Sequence, residues 1–193
     1  MALINYNSIL DNFINILIPE TKIAVNKGNK IFGAFIIKKT DLKLVATGTN
    51  NEIINPLYHG EISALFNFFK LNILNPKDYY FISSHEPCSL CLSAITWCGF
   101  DNFYYFFPHD DTKKNFNIPH DLNIFKEVFK IDSGQYNKNN YYWNSHSIIQ
   151  KIHEIENEHK YKLLEKIDKI KQLYQDLSIK YQDSKISNNI PLK

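Results

Sequence analysis

The chain contains no arginine; all 22 basic residues among its 193 are lysines. Arginine presents a planar fork that suits phosphate and guanine edges, so its absence weighs modestly against a reader of nucleic acid. The formal net charge of +2 points the same way, because it raises no strong field toward a polyanion. Lysine, asparagine and isoleucine are heavy throughout, which biased codon usage also produces. Cysteine is scarce as well: Cys88, Cys91 and Cys98 are the only three, clustered in one stretch. An odd count gives no complete disulfide framework, and reduced thiols fit an intracellular setting. No apolar run approaches the ~20 residues of a membrane span. The first residues lack the basic-then-apolar pattern of a secretory signal, so a cytoplasmic location and no membrane contact are expected.

What is present belongs to a folded protein: 44% hydrophobic and 15% aromatic residues suffice for a packed core. Residues 7–18 carry apolar side chains at helical spacing. Segments 31–37 and 44–47 read as a hairpin around a polar turn at 39–43. After a polar loop from Gly48 to Pro56, residues 59–70 repeat Ile62, Leu65, Phe66 and Phe69 at helical intervals. Residues 79–83 form an aromatic strand, and Pro87 opens a helix that reaches about Gly99. The consecutive aromatics of 103–107 suit a strand buried on both faces. This order predicts an α/β fold, a three-layer α/β/α sandwich around a mixed sheet of about five strands. Residues 136–144 read as a surface loop. Residues 148–181 read as one long charged helix with a narrow seam of Leu163, Ile167, Ile170, Tyr174, Leu177 and Tyr181. That seam either lies across the chain's own domain or meets a coiled-coil partner. The division is therefore a domain over 1–147, a helical extension over 148–183 and a disordered tail over 184–193.

Two short pieces carry chemistry: His59-Gly60-Glu61, and Pro87-Cys88-Ser89-Leu90-Cys91. Imidazole nitrogen and thiolate sulfur bind zinc tetrahedrally, and a catalytic zinc keeps its fourth position for water. Cysteines three apart in a first helical turn emerge on one face, where the helix dipole favours thiolates. Three protein ligands are one fewer than a closed structural site needs. Glu61 stands close enough along the chain to move protons for an activated water.

The spacing His-x-Glu followed by Pro-Cys-x-x-Cys is the signature of zinc deaminases. Over roughly residues 1–130 the sequence resembles the cytidine deaminase-like superfamily, in particular its guanine deaminase, cytosine deaminase and tRNA adenosine deaminase branch. The likeness rests on GNKIFGAFII, NPLYHGEISAL and SSHEPCSLCLSAITWCGF. It implies one zinc ion per chain on His59, Cys88 and Cys91, with Glu61 as proton shuttle. It also implies an asparagine on the substrate base, for which Asn50 and Asn51 compete, and Phe32 in the base pocket. The implied activity is hydrolytic deamination of a free nucleobase or nucleoside, guanine or cytosine leading, by a homodimer or larger assembly. A tRNA adenosine deaminase and a non-catalytic partner subunit are the alternatives. Lys113 and Lys114 keep the first alive, and Glu61 argues against the second, since inactive members commonly lose that carboxylate.

Other polar residues invite blander readings. A lone Cys-x-x-Cys also occurs in redox and structural zinc sites, and Cys98 reads as a small buried hydrophobe. His85 reads as a polar neighbour of the site and Glu86 as a turn residue. Asp110 and Asp111 read as a solvated loop, although an acidic residue of that region touches substrate in guanine deaminases. His109, His120, His146, His153 and His159 read as surface residues.

Overall fold

The computed structural model describes residues 5–72, 75–156 and 160–193. Helix α1 (Tyr6–Asn12) runs through a π-helical turn (Phe13–Leu17) into α2 (Ile18–Asn26). The helix therefore continues well past residue 18. Pro19 would clash with a carbonyl in a regular α-turn, and the wider π-turn immediately before it relieves that clash. Strands β1 (Gly33–Lys38) and β2 (Leu44–Thr49) form the expected hairpin. Then follow α3 (Gly60–Phe69), β3 (Tyr79–His85), α4 (Ser89–Trp97) and β4 (Asn102–Phe107). Helices α5 (His109–Phe116) and α6 (His120–Phe129) precede β5 (Asn144–Ser147), α7 (Ile148–His153) and α8 (Lys160–Ser184).

The sheet order is β2-β1-β3-β4-β5. Strand β1 is antiparallel to both neighbours, whereas β3, β4 and β5 run parallel, so the sheet is mixed. Side chains alternate along each strand and sort the core into two layers. Phe35, Ile37, Ile82, Tyr104 and Phe106 face α1, α2, α7 and α8. Ala34, Ile36, Phe81, Phe103 and Tyr105 face α3, α4 and α6. Strand β4 is buried along its whole length, as its unbroken aromatics require.

Backbones approach closely where α3 crosses the hairpin. A Cβ on Gly48 would stand 2.1 Å from the Ala64 nitrogen, and one on Gly60 would stand 2.6 Å from the Gly33 Cα. Glycine at both positions lets the helix sit directly on β1 and β2.

Four expectations change on the C-terminal side. The fifth strand begins at Asn144, the end of the segment read as a loop; Asn144, Ser145, His146 and Ser147 are polar and join the sheet by main-chain pairing to β4. The single helix expected over 148–181 is two helices, α7 and α8, and His159 lies outside the described residues. The boundary at 148 is not a boundary of the core, because Ile148, Ile152, Leu163, Ile167, Ile170, Tyr174, Leu177 and Tyr181 pack in one cluster with α1, α2 and the sheet. The seam of α8 is thus covered by its own chain. The tail read as disordered from Ser184 is ordered: Asn188 Nδ2 donates to the Gly28 carbonyl at 3.0 Å, and Ile190 is 1% exposed. Its apolar Ile190 supplies the burial that a tail of polar residues would lack.

No described helix is long and apolar enough to cross a membrane.

Candidate active site

The site forms where two helices begin. Strand β3 ends at His85, and Glu86 donates its N–H to the Phe107 carbonyl at 2.7 Å, extending the pairing with β4 by one residue. The chain then turns through Pro87 into α4, with Cys88 at its N-cap and Cys91 in its first turn. His59 is the N-cap of α3, and Glu61 lies in that helix's first turn. Two positive helix ends therefore converge on the same space, which favours thiolate and carboxylate there.

His59 Nδ1 lies 3.4 Å from Cys88 Sγ and 3.7 Å from Cys91 Sγ. The three ligand atoms all fall within 4.8 Å of one another, the one such grouping among the described residues. Zinc bonds of about 2.0 Å to nitrogen and about 2.3 Å to sulfur give tetrahedral edges of roughly 3.5 Å. The spacing and the donor chemistry both fit a zinc ion.

Without an ion the protons divide unevenly. A hydrogen bond from Cys91 holds the Cys88 thiol well below its usual range, and His59 assists against the effect of burial. Burial pushes Cys91 well above its usual range. Burial also lowers His59, but the adjoining Cys88, then Glu61 and Glu52, outweigh it and raise the imidazole to about 9. An ion must displace the His59 and Cys91 protons, so its affinity falls as pH drops.

Glu61 is 4% exposed and sits against the trio. Ser83 Oγ donates to Glu61 Oε1 at 2.8 Å, and Cys91 Sγ donates to Oε2 at 3.3 Å. Burial first, and then Cys88, push its acidity toward higher pH. A cavity of about 260 Å³ opens beside these groups, lined among others by Phe32, His85, Ile118, Asp121 and Ile190.

Phe32 is thus on the cavity wall, its ring 4.7 Å from that of His85. Asn50 and Asn51 are not; both line a separate groove of about 620 Å³ between α2, β2 and α3. Asn50 is buried and committed on both amide atoms, accepting the Gly60 N–H at 2.6 Å and donating to Glu52 Oε2 at 2.5 Å.

Several residues read as peripheral are central. His85 is buried, with Nδ1 2.9 Å from Ser84 Oγ and Nε2 lacking a partner among the described residues. Burial, with His109 second, holds its pKa well below the usual histidine range. Glu86 does shape its turn, accepting the His109 N–H at 3.1 Å, the Tyr136 hydroxyl at 2.8 Å and Lys138 Nζ at 2.8 Å. His109 is 4% exposed rather than at the surface. His120 lines the cavity and reaches the Lys193 carbonyl at 2.7 Å.

The aspartate that lines the cavity is Asp121, on α6, and neither Asp110 nor Asp111, which belong to α5. Its carboxylate has no hydrogen-bond donor among the described residues, and its nearest basic neighbour is His109 Nδ1 at 3.8 Å. Burial first, and Cys88 second, push its acidity well up. Lys30 and Glu52 are a further pair that sequence reasoning missed, ion-paired at 2.9 Å on the cavity wall. Only the distance between residues 30 and 52 along the chain conceals them; neither has a motif.

Comparison with known proteins places this geometry. The chain is 34% identical over 103 residues to the guanine deaminase of Bacillus subtilis (strain 168), covering 51% of this chain and 63% of that protein. It is 29% identical over 91 residues to the tRNA-specific adenosine deaminase of Rickettsia typhi (strain ATCC VR-144 / Wilmington), covering 46% of this chain and 62% of that one. The matches thus span less than two thirds of either relative. Among solved structures, guanine deaminase from Bacillus subtilis superposes with a TM-score of 0.53 at 27% identity, covering 67% of this chain and 85% of that structure. Residues 8–107, more than half of the chain, match the family model for the zinc-binding region of cytidine and deoxycytidylate deaminases, and the chain belongs to that family.

Proposed function

We propose that this chain is a zinc-dependent hydrolytic deaminase of a free nucleobase, with guanine as the favoured substrate. The observation that carries the choice of base is Asp121: a carboxylate on the cavity wall with no donor of its own among the described residues. Guanine offers a ring N–H and an exocyclic amine on one edge, two donors that a carboxylate accepts together. The small cavity supports a free base, because about 260 Å³ lies below the roughly 300–1,000 Å³ of typical ligand pockets. Phe32 gives the ring an apolar wall, and His85 stays neutral beside it.

Deamination consumes water and exchanges an exocyclic amine for oxygen, releasing ammonia. Zinc, when held by His59, Cys88 and Cys91, supplies the Lewis acidity that makes water nucleophilic near neutral pH. Glu61 moves the protons. Its Oε1 is fixed by Ser83, while its Oε2 accepts the Cys91 thiol proton, which leaves when that sulfur becomes a ligand. The freed oxygen takes one proton from the attacking water and passes it to the ring nitrogen; it then takes the second, from the hydroxyl that the attack leaves on the ring carbon, and delivers it to the departing amine. Asn50 contributes by seating the start of α3, which carries His59 and Glu61.

A homodimer fits the apolar side chains left exposed on α3 and α4, among them Phe66, Phe69, Leu90 and Trp97. Reduced site cysteines fit a cytoplasmic setting.

The test is ammonia release by the purified zinc-loaded protein from guanine, cytosine, adenine, their nucleosides and a tRNA anticodon stem-loop, at low and high salt. Turnover of guanine at a rate indifferent to salt is expected. Activity confined to the stem-loop and falling steeply with salt overturns the free-base reading in favour of a tRNA deaminase. Inactivity on every substrate removes the enzymatic reading.

A further inference from the structure

Lys30 and Glu52 form an ion pair with side chains only 6% and 4% exposed. A buried pair of charges forfeits most of its hydration, and an apolar pair of similar shape commonly stabilises a fold at least as well. Stability alone therefore accounts poorly for its presence, and its surroundings suggest a different use.

Glu52 is held at both oxygens. Oε1 receives Lys30 Nζ at 2.9 Å, and Oε2 receives Asn50 Nδ2 at 2.5 Å. The same Oε1 lies 3.7 Å from His59 Nε2. That distance exceeds a hydrogen bond, so the contact is electrostatic. The opposite ring nitrogen, Nδ1, is the one turned toward Cys88 and Cys91. One edge of the imidazole thus meets the two sulfurs while the other meets an anchored carboxylate. An imidazole with its proton on Nε2 carries its lone pair on Nδ1, the tautomer a ligand at this position requires. Carboxylates behind ligating histidines fix the tautomer and ring orientation and raise ligand basicity.

We propose that Glu52, anchored by Lys30 and Asn50, is a positioning residue that keeps the His59 proton on Nε2 and thereby sets the affinity of the His59–Cys88–Cys91 trio for zinc. This rests on the zinc reading above. Lys30 has a separate part: together with Asn50 it fixes the Glu52 carboxylate in place behind the His59 ring.

The test is zinc affinity, measured by competition with a chromophoric chelator, together with the unfolding temperature of each metal-free protein. Glu52→Gln is expected to bind zinc about 10–100-fold more weakly. Cobalt substituted for zinc reports the same change as a shift in its visible bands. The double variant Lys30→Met with Glu52→Gln removes both buried charges. It is expected to recover the native unfolding temperature while its zinc affinity stays low, a separation that a purely structural pair does not produce. Glu52→Asp is expected to restore part of the affinity. Zinc affinity of Glu52→Gln within about twofold of the native value overturns the proposal. Recovery of affinity in the double variant overturns it equally. Should Glu52→Gln fail to fold, ring-nitrogen NMR of the native zinc-loaded protein decides: a proton on His59 Nε2 supports the proposal, and metal on Nε2 overturns it. Failure of the native protein to bind zinc at all is distinguishable from these outcomes and removes the metal reading itself.

Discussion

Asn50 Oδ1 accepts the main-chain N–H of Gly60 at 2.6 Å, satisfying one of the donors that the start of α3 leaves without a helical partner. The resemblance to deaminases offers this asparagine as a substrate contact, yet its side chain is occupied in seating the helix that carries His59 and Glu61. Asn50→Ala is therefore expected to lower folding stability by about 1–3 kcal/mol, because a buried donor loses its acceptor. Asn51→Ala, at a half-buried residue in the neighbouring groove, should have little effect. Chemical denaturation of the two variants checks the contrast. An Asn50→Ala protein of native stability with only its KM raised would show that the side chain serves substrate instead.

Removing the metal should weaken the fold as well as stop turnover, since the trio ties α3 to α4. At free zinc about 100-fold above its dissociation constant, binding contributes about 2.7 kcal/mol. For a chain of this size that corresponds to a fall in unfolding temperature of roughly 5–10 °C on adding a strong chelator. Differential scanning fluorimetry before chelation, after it and after re-addition of zinc reads the effect. An unfolding temperature indifferent to the chelator contradicts it.

Glu61→Gln retains the shape and burial of the side chain while losing its capacity to accept and return protons. Turnover should drop by about 10²–10⁴-fold. Zinc content should remain at one ion per chain. Metal analysis alongside steady-state kinetics separates this from loss of the site; a variant of undiminished activity would exclude Glu61 as the proton carrier.

Ile190→Asp places a carboxylate where the side chain is 1% exposed on the cavity wall. The tail should detach, become the first site of proteolytic cleavage and leave the substrate less enclosed. A rise in KM larger than the fall in kcat is expected, with the core helices still resistant to protease. Cleavage elsewhere in the chain, with the tail intact, would argue that the substitution disturbs the whole fold.

His85 and His109 are buried, with His85 Nε2 and both His109 ring nitrogens lacking hydrogen-bond partners among the described residues, and burial lowers both pKa values, with His109 a second cause for His85. The unfolded chain takes up these protons near pH 6.5, and the folded chain only at lower pH. Between those limits the unfolded state binds more protons, so stability declines as pH falls below about 6.5 and is recovered above it. Urea unfolding of metal-free protein at about pH 7 and about pH 5 should show the decline. His109→Leu should make it shallower; an unchanged slope in that variant would assign the acid sensitivity to other groups.

Much of this architecture is legible from local pattern. Cys88 and Cys91 sit in one helical turn, and His59 with Glu61 at the start of another, so short-range spacing suffices to single them out. The unbroken aromatics of β4 similarly declare a strand buried on both sides. What is not legible depends on contacts distant in sequence or on main-chain bonding. Strand β5 has no apolar residue to mark it and joins the sheet by main-chain pairing to β4. Asp121 resembles its exposed neighbours Asp110 and Lys113 in the sequence, and only the placement of α6 turns it toward the cavity. Lys30 and Glu52 meet across 22 positions, which no periodicity encodes. Pro19 signals a helix end, and the π-turn that overrides it leaves no mark in the hydrophobic pattern.

The near-contact of bare backbone at Gly48 with Ala64, and at Gly60 with Gly33, has a mechanical consequence. With no side chains between them to repack, α3 and the hairpin behave as a single stiff block, and His59 and Glu61 travel with it. Any breathing of the cavity must then come from the facing wall, which the side chains of Ile118, Ile124 and Ile190 help to line. The half of the cavity that carries His59 and Glu61 is the anvil, and the half opposite is the part that gives.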